Sequence, residues 1–79
     1  MDFDTDKIDE MILALLYLTT FEDHGIVRAW KGHDWEGLNR LFEKGLIADP
    51  KSKAKSVLLS KDGAKLSKEL FYKHFVKNN

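Results

Sequence analysis

The chain has 79 residues, with 13 basic and 13 acidic side chains, so its formal net charge is zero. The absence of cysteine excludes a disulfide framework, and the first residues lack the basic flank and apolar run of a signal peptide. The length predicts a single domain over residues 1–79, near the lower limit at which burial alone stabilises a fold. We therefore expect a cytoplasmic protein without membrane association, since the apolar run over residues 11–18 is too short to span a bilayer.

The charges are unevenly distributed along the chain. Residues 1–37 carry nine acids and three bases, giving −6, whereas residues 38–79 carry ten bases and four acids, giving +6. A chain of this kind can present one basic face despite its neutrality, although two solvated halves would give the same pattern.

A first helix is predicted from Thr5 to Thr19, with Asp4, Thr5 or Asp6 as its N-cap. Its apolar residues recur at helical spacing and cover more than one side, so this helix is expected to form the spine of the core. Residues 20–33 are harder to interpret. A short strand over residues 26–31 is the preferred prediction because the segment is β-branched and aromatic, with a short helix as the alternative.

A second helix is predicted from Trp35 to Lys44, capped by Asp34 and ended by Gly45 in the left-handed conformation of a Schellman motif. Its buried residues would be Trp35, Leu38, Leu41 and Phe42. A glycine inside this helix, Gly37, indicates close packing against the first helix or close approach of a ligand.

The second half of the chain predicts two short strands and a final helix. Residues 46–48 and residues 54–59 would pair across a turn at Asp49-Pro50. Ser60 would cap the last helix, which would continue to about Val76.

Much of the chain resembles a family of small bacterial proteins of unknown function. The residues that carry the resemblance are 4–9, 13–18, 28–32, 34–35, 43–47 and 53–57. More loosely, the second half is similar to winged-helix regulators of the MarR and PadR kind, in which a recognition helix ends in Gly-Leu-Ile and a wing strand runs into Leu-Thr-x-x-Gly. Here Ser60 replaces the threonine, and the second helix of that fold is missing or reduced. The fold class predicted is α+β, a winged-helix-like domain with three main helices and a small antiparallel sheet.

The lysine-rich turn is the first candidate binding surface. Lys51, Lys53 and Lys55 alternate, so in an extended segment all three would point to one side and could contact phosphates. Lysines also keep an exposed hairpin soluble and block edge pairing, which is the structural alternative.

The second helix is the next candidate. Its residues left exposed would be Asp34, Glu36, Gly37, Asn39, Arg40, Glu43 and Lys44. Asn39 and Arg40 have the chemistry to read adenine and guanine edges, but the three acids would oppose approach to phosphates.

Two aromatic segments are candidate contacts for a protein partner. Trp30 and Trp35 flank a basic stretch containing Lys31, and both indoles are expected mainly to fill the core or its rim. Phe71, Tyr72 and Phe75 widen the apolar arc of the last helix, which predicts a homodimer through that helix unless they fold back onto the first helix.

No catalytic residues, cofactor or metal site are predicted. The three histidines are far apart in sequence, there is no cysteine to join them, and no nucleophile or glycine-rich phosphate loop is present. We therefore expect a binding module rather than an enzyme. Its predicted role is nucleic-acid-associated or regulatory, through phosphate contacts of the lysine turn. The alternative is a protein-interaction adaptor that uses the Trp30–Trp35 segment and the last helix without binding DNA.

Overall fold

The computed structural model describes residues 2–77 and contains three helices and one three-stranded antiparallel sheet in the order β1-β2-β3. The elements are α1 (Thr5–Leu16), β1 (Thr20–Asp23), β2 (Ile26–Trp30), α2 (Trp35–Glu43), β3 (Ser56–Leu58) and α3 (Lys61–Phe75). The predicted α+β class, with three main helices and a small antiparallel sheet, is confirmed.

Each helix begins at a side chain that accepts a hydrogen bond from the backbone three residues later. Asp4 accepts from Lys7 N, Asp34 from Gly37 N, and Ser60 from Gly63 N, each at 3.0 Å. These bonds satisfy backbone donors that the first helical turn leaves without partners. Of the three N-caps proposed for the first helix, Asp4 is the one observed.

The end of α2 is the predicted Schellman motif. Gly45 has φ +77°, a backbone conformation that is unfavourable for residues with a Cβ atom. Its N–H donates to Phe42 O at 2.9 Å, and the next N–H, that of Leu46, donates to Leu41 O at 3.0 Å.

The β1–β2 hairpin was not predicted. The α-helix ends at Leu16 rather than Thr19, a 3-10 turn covers Tyr17–Thr19, and β1 follows directly. His24 and Gly25 form the two-residue turn, with φ values of +52° and +82°. Two positive φ values in succession match the twist of a hairpin, but the dipeptides that signal such a turn strongly are Asn-Gly, Asp-Gly and Gly-Gly, so His-Gly gives a weaker sequence signal. The predicted strand over residues 26–31 is confirmed as β2.

The predicted antiparallel pairing of residues 46–48 with residues 54–59 is confirmed in part. The pairing is limited to one bridge, between Ile47 and Leu59, flanked by two backbone hydrogen bonds, from Ala48 N to Leu58 O at 2.8 Å and from Ser60 N to Leu46 O at 3.0 Å. The main partner of β3 is β2, with Ala29 opposite Val57. The two contacts use opposite edges of this segment, since Leu59 N donates to Val27 O at 2.9 Å on one side and Leu58 O accepts from Ala48 N on the other. Pro50 and the bends over residues 52–55 keep the connecting chain irregular.

The core lies between the helices and one face of the sheet. Its buried apolar residues are Ile12, Leu13, Leu16, Ala29, Leu38, Leu41, Ile47, Val57 and Leu59. Two residues predicted to be buried on α2 are instead largely exposed, Trp35 at 49% and Phe42 at 41%. Gly37, predicted to be exposed, is buried. A nine-residue helix presents only a narrow stripe to the core, which Leu38 and Leu41 fill.

The first and last helices pack directly on each other. Ser67 Oγ donates to Leu13 O at 2.6 Å in a buried contact, and His74 Nε2 lies 3.0 Å from Glu10 Oε1. Within residues 2–77, no helix is both long and apolar enough to cross a membrane.

Candidate functional site

The outer face of the sheet, turned away from the core, carries an aromatic pair. Since neighbouring residues of a strand point to opposite faces, the inward position of Ala29 turns Arg28 and Trp30 outward. Phe21, on β1, lies opposite Arg28 of β2, and the centroid of the Phe21 ring is 5.5 Å from that of Trp30. Trp30 is 52% exposed on this outer face, so the prediction that it mainly fills the core or its rim is wrong. One face of its indole is supported by Phe21 while much of the ring remains open to a ligand.

A lysine loop, residues 49–55, lies beside this aromatic pair. Lys31 N donates to Lys55 O at 3.1 Å, and Trp30 pairs with Ser56 in the sheet, so the loop returns next to the end of β2. The loop is a series of turns and bends rather than an extended strand, which removes the predicted strand alternation of its lysines. Lys51, Lys53 and Lys55 are nevertheless all exposed.

Lys31 holds the lysine loop in place. Its Nζ donates to Pro50 O at 2.7 Å, to Ser52 O at 2.8 Å and to Ser52 Oγ at 3.4 Å. An ammonium group has three donors, and these acceptors use them. Lys31 was predicted as a partner contact, and the structure gives it in addition a positioning role that the sequence did not indicate.

Arg28 is a residue of the outer face that sequence reasoning missed. Its Nε donates to Ser56 Oγ at 2.8 Å and its Nη2 to Ser56 O at 3.0 Å, which joins β2 to β3. Arg28 also lines a cavity of about 390 Å³ between the sheet and the lysine loop, together with Ser52 and Leu58. The sequence signal for this outer face was the alternation of Ile26, Arg28 and Trp30 along one strand. Identifying the face from this signal would also have required the prediction of β1.

The helix α2 has little positive charge free for a ligand. Arg40 Nε donates to both carboxylate oxygens of Asp9 at 2.8 Å, and Lys44 Nζ donates to Asp9 Oδ2 at 3.1 Å. Asp9 is only 1% exposed, and although burial by itself raises its pKa, the hydrogen bonds from Arg40 and Lys44 outweigh burial and hold the pKa below its usual value. Of the two residues predicted to read bases, Arg40 is therefore bound within the protein, and Asn39 is half-buried beside it.

The exposed side of α2 is acidic and aromatic. Asp34, Glu36 and Glu43 are all exposed, and Trp35 and Phe42 lie largely exposed on the same short helix. Trp35 is thus the second indole for which the prediction of burial is wrong. The segment from Trp30 to Trp35 places its two indoles on different elements, one at the end of β2 and one at the start of α2.

The aromatic residues of α3 are partly folded back onto the chain. The Phe71 ring centroid is 5.1 Å from that of Tyr17 and 5.4 Å from that of Phe75. Tyr72 and Phe75 remain about half exposed. Phe71 thus packs within the chain, against Tyr17 just after the first helix, and the homodimer through α3 stays a prediction.

Comparison with known proteins gives a family but no activity. The family model described as "Domain of unknown function (DUF6429)" matches residues 4–77. The chain is similar to "Uncharacterized protein y4hR" of Sinorhizobium fredii (strain NBRC 101917 / NGR234), with 48% identity over 77 residues, covering 98% of this chain and 100% of that protein. No solved structure matches, so the similarity to winged-helix regulators stays a prediction. The match over residues 4–77 confirms the resemblance noted in the sequence, and the chain belongs to the DUF6429 family, a family of unknown function.

Proposed function

We propose that the protein binds single-stranded nucleic acid with the outer face of its sheet and the adjoining lysine loop. The observation that carries this proposal is the half-exposed Trp30, packed against Phe21 with the rings tilted by 35°, next to a loop with three exposed lysines. In this proposal the protein is a regulatory binding module of the cytoplasm rather than an enzyme.

The aromatic pair supplies a stacking platform for bases. Proteins that bind single strands without sequence preference place successive bases on aromatic rings beside a positively charged path for the backbone. Trp30 is fixed by its strand and by Phe21, so little side-chain freedom is lost when a base stacks on it. The adjoining cavity of about 390 Å³ is large enough to take a base from the same strand.

The lysine loop supplies positive charge for phosphates. Within residues 2–77, Lys51, Lys53 and Lys55 make no salt bridge to an acid of the chain. Lys31 holds their loop next to Trp30, so phosphates of a strand stacked on the indole would pass close to these ammonium groups.

A single strand fits better than a duplex. Reading a major groove would bring α2 against the phosphates, where Asp34, Glu36 and Glu43 would repel them. Arg40, the strongest candidate for a guanine edge, is bound to Asp9. Duplex DNA is therefore expected to bind weakly and without sequence preference, through the lysine loop alone.

The test is fluorescence anisotropy with a labelled oligothymidylate and a matched duplex, at about 50 mM and about 200 mM salt. Trp30→Ala should raise the Kd for the single strand about ten- to hundredfold, the effect of losing one stacked base. Replacing Lys51, Lys53 and Lys55 by glutamine should lower the salt slope by about 2, since each phosphate contact on a single strand contributes about 0.7.

Trp35→Ala is the matched control, because its indole is exposed to nearly the same extent but lies on the acidic helix. It should leave the Kd unchanged. Absence of binding at the lower salt concentration, or equal effects of Trp30→Ala and Trp35→Ala, would contradict the proposal.

A second candidate function is the protein-interaction adaptor. The observation that favours it is the exposure of Trp35 and Phe42 among the acids of α2, since exposed tryptophans are frequent energetic centres of protein interfaces. Failure of oligonucleotide binding, with capture of a basic protein that Trp35→Ala abolishes and Trp30→Ala does not, would support this candidate over the first.

A further inference from the structure

The cavity between the sheet and the lysine loop brings one base and one acid together. Its volume is about 390 Å³, and its two charged lining residues are Arg28 of β2 and Asp49 at the start of the loop. Most of the remaining lining is apolar and comes from Ala48, Ala54, Val57 and Leu58. An apolar wall with a few polar groups is the usual form of a site for a small ligand.

The guanidinium of Arg28 is turned towards the Trp30 end of the sheet. Arg28 lies opposite Leu58 in the sheet, but its Nε and Nη2 donate to Ser56, the residue opposite Trp30. These two bonds use one side of the planar guanidinium. Within residues 2–77, the parallel pair of N–H groups at its outer end, one on Nη1 and one on Nη2, donates to no other group. Arg28 is therefore held in place with a two-pronged donor left for a ligand.

Asp49 supplies an acceptor on the other side of the cavity. Its Oδ1 accepts from Lys51 N at 2.9 Å, a local turn that fixes the carboxylate at the start of the loop. In the described part of the chain, Asp49 forms no salt bridge with Arg28 or with a lysine. A carboxylate accepts several hydrogen bonds, so Asp49 can still accept from a ligand.

The presence of Asp49 argues against a phosphate in this cavity, because a carboxylate repels it. A neutral base with acceptors on one edge and donors on the next satisfies both residues. Guanine has this arrangement. Its O6 and N7 are the acceptors with which arginine forms a bidentate pair, and its N1–H and N2–H are neighbouring donors that match the two oxygens of a carboxylate. Adenine has an amino group in place of O6, and the pyrimidines lack N7.

We infer that this cavity is a guanine subsite, in which Arg28 donates to O6 and N7 of the base and Asp49 accepts from N1–H and N2–H. This inference rests on the proposed function, since the guanine is the neighbour of the base stacked on Trp30. Arg28 and Trp30 are two residues apart on one face of β2, about 7 Å, a separation that neighbouring bases of an extended strand can span. Stacking and phosphate contacts carry little sequence information, so the subsite gives the surface its base preference.

The test compares two labelled oligonucleotides by fluorescence anisotropy at about 50 mM salt. One is an oligothymidylate, and the other is the same strand with a single central guanine. The guanine strand should bind about tenfold more tightly, the discrimination expected of one bidentate contact. Replacing the guanine by hypoxanthine, which lacks the N2 amino group, or by 7-deazaguanine, which lacks N7, should reduce this preference to about threefold, because each removes one hydrogen bond.

Two variants test the two residues. Asp49→Asn keeps an oxygen for Lys51 N but replaces an acceptor by a donor, so the ratio of the two Kd values should fall to within about twofold. Arg28→Lys should have the same effect, because an ammonium group lacks the parallel pair of donors. Asp23→Asn is the matched control, an exposed acid of the same sheet that does not line the cavity, and it should keep the wild-type ratio.

Circular dichroism should show native helix content in all three variants, and Asp49→Asn, in an exposed loop, decides the outcome if Arg28→Lys does not fold. Equal Kd values for the two strands would overturn the guanine subsite and leave single-strand binding standing, whereas absence of binding to both strands would overturn both proposals. A guanine preference that Asp49→Asn retains would overturn the subsite. Arg28→Lys raising both Kd values by the same factor would make Arg28 a phosphate contact and would also overturn it.

Discussion

At the scale of single residues, two glycines are required by close packing rather than by their backbone conformation. A Cβ at Gly63 would overlap the backbone carbonyl of Leu46, and a Cβ at Gly37 would overlap the Cδ1 atom of Ile12. The carbonyl of Leu46 is fixed, because it accepts from Ser60 N at 3.0 Å, whereas the Ile12 side chain can rotate away. The start of α3 therefore tolerates no side chain at Gly63, and the packing of α2 on α1 confirms the close approach that Gly37 indicated.

We expect Gly63→Ala to destabilise the protein by about 1 to 3 kcal/mol, the usual cost of overpacking, despite the higher helix propensity of alanine. Gly32→Ala is the control, since a Cβ there meets no atom within 4 Å and the change should stay within about 0.5 kcal/mol. Urea denaturation of both variants measures the difference. Equal midpoints for Gly63→Ala and wild type would show that α3 and Leu46 are farther apart than described.

At the scale of elements, charged side chains fix how helices and loops are arranged. Asp9 on α1 holds two cations of α2, and Lys31 after β2 holds the lysine loop. A buried carboxylate is stable only when its charge is compensated, and Arg40 and Lys44 provide that compensation. These contacts define the relative position of elements that are far apart in sequence, and they remove Arg40 from the surface available to a ligand.

We expect Asp9→Asn to destabilise the protein at neutral pH by about 1 to 3 kcal/mol, because the amide loses the charge that Arg40 and Lys44 face. The folded-state pKa of Asp9 is lowered, so its stabilisation is present above the unfolded pKa of about 4 and is lost as the pH falls through the folded value. The stability difference between wild type and variant should therefore shrink in that acidic range.

The control for this prediction is Asp6→Asn. The side chain of Asp6 is 90% exposed, and its contact with Lys44 Nζ is long, at 3.5 Å. Removing the charge of such an exposed ion pair should change the stability of the protein little. Thermal unfolding of the three proteins at neutral and acidic pH gives the comparison. If the stability difference between wild type and Asp9→Asn did not change with pH, Asp9 would not carry the negative charge assigned to it in the folded protein.

At the scale of the whole molecule, two functional surfaces lie on different elements. The outer face of the sheet, with the lysine loop, is proposed to bind a single strand, and the exposed acidic and aromatic side of α2 is the candidate contact for a protein partner.

The sequence alone determined the presence of the three helices, the N-caps Asp34 and Ser60 and the Gly45 ending, because each cap depends on hydrogen bonds between residues three to five positions apart. It also indicated β2 and the exposed lysines. The tertiary structure decided the partner of β3, the binding of Arg40 by Asp9, the exposure of Trp30 and Trp35, and the loop position set by Lys31. Those features depend on contacts between residues that are distant in sequence and on which side chains fit into a small core. Local sequence patterns describe each helix or strand separately, so they do not predict how the elements pack on one another.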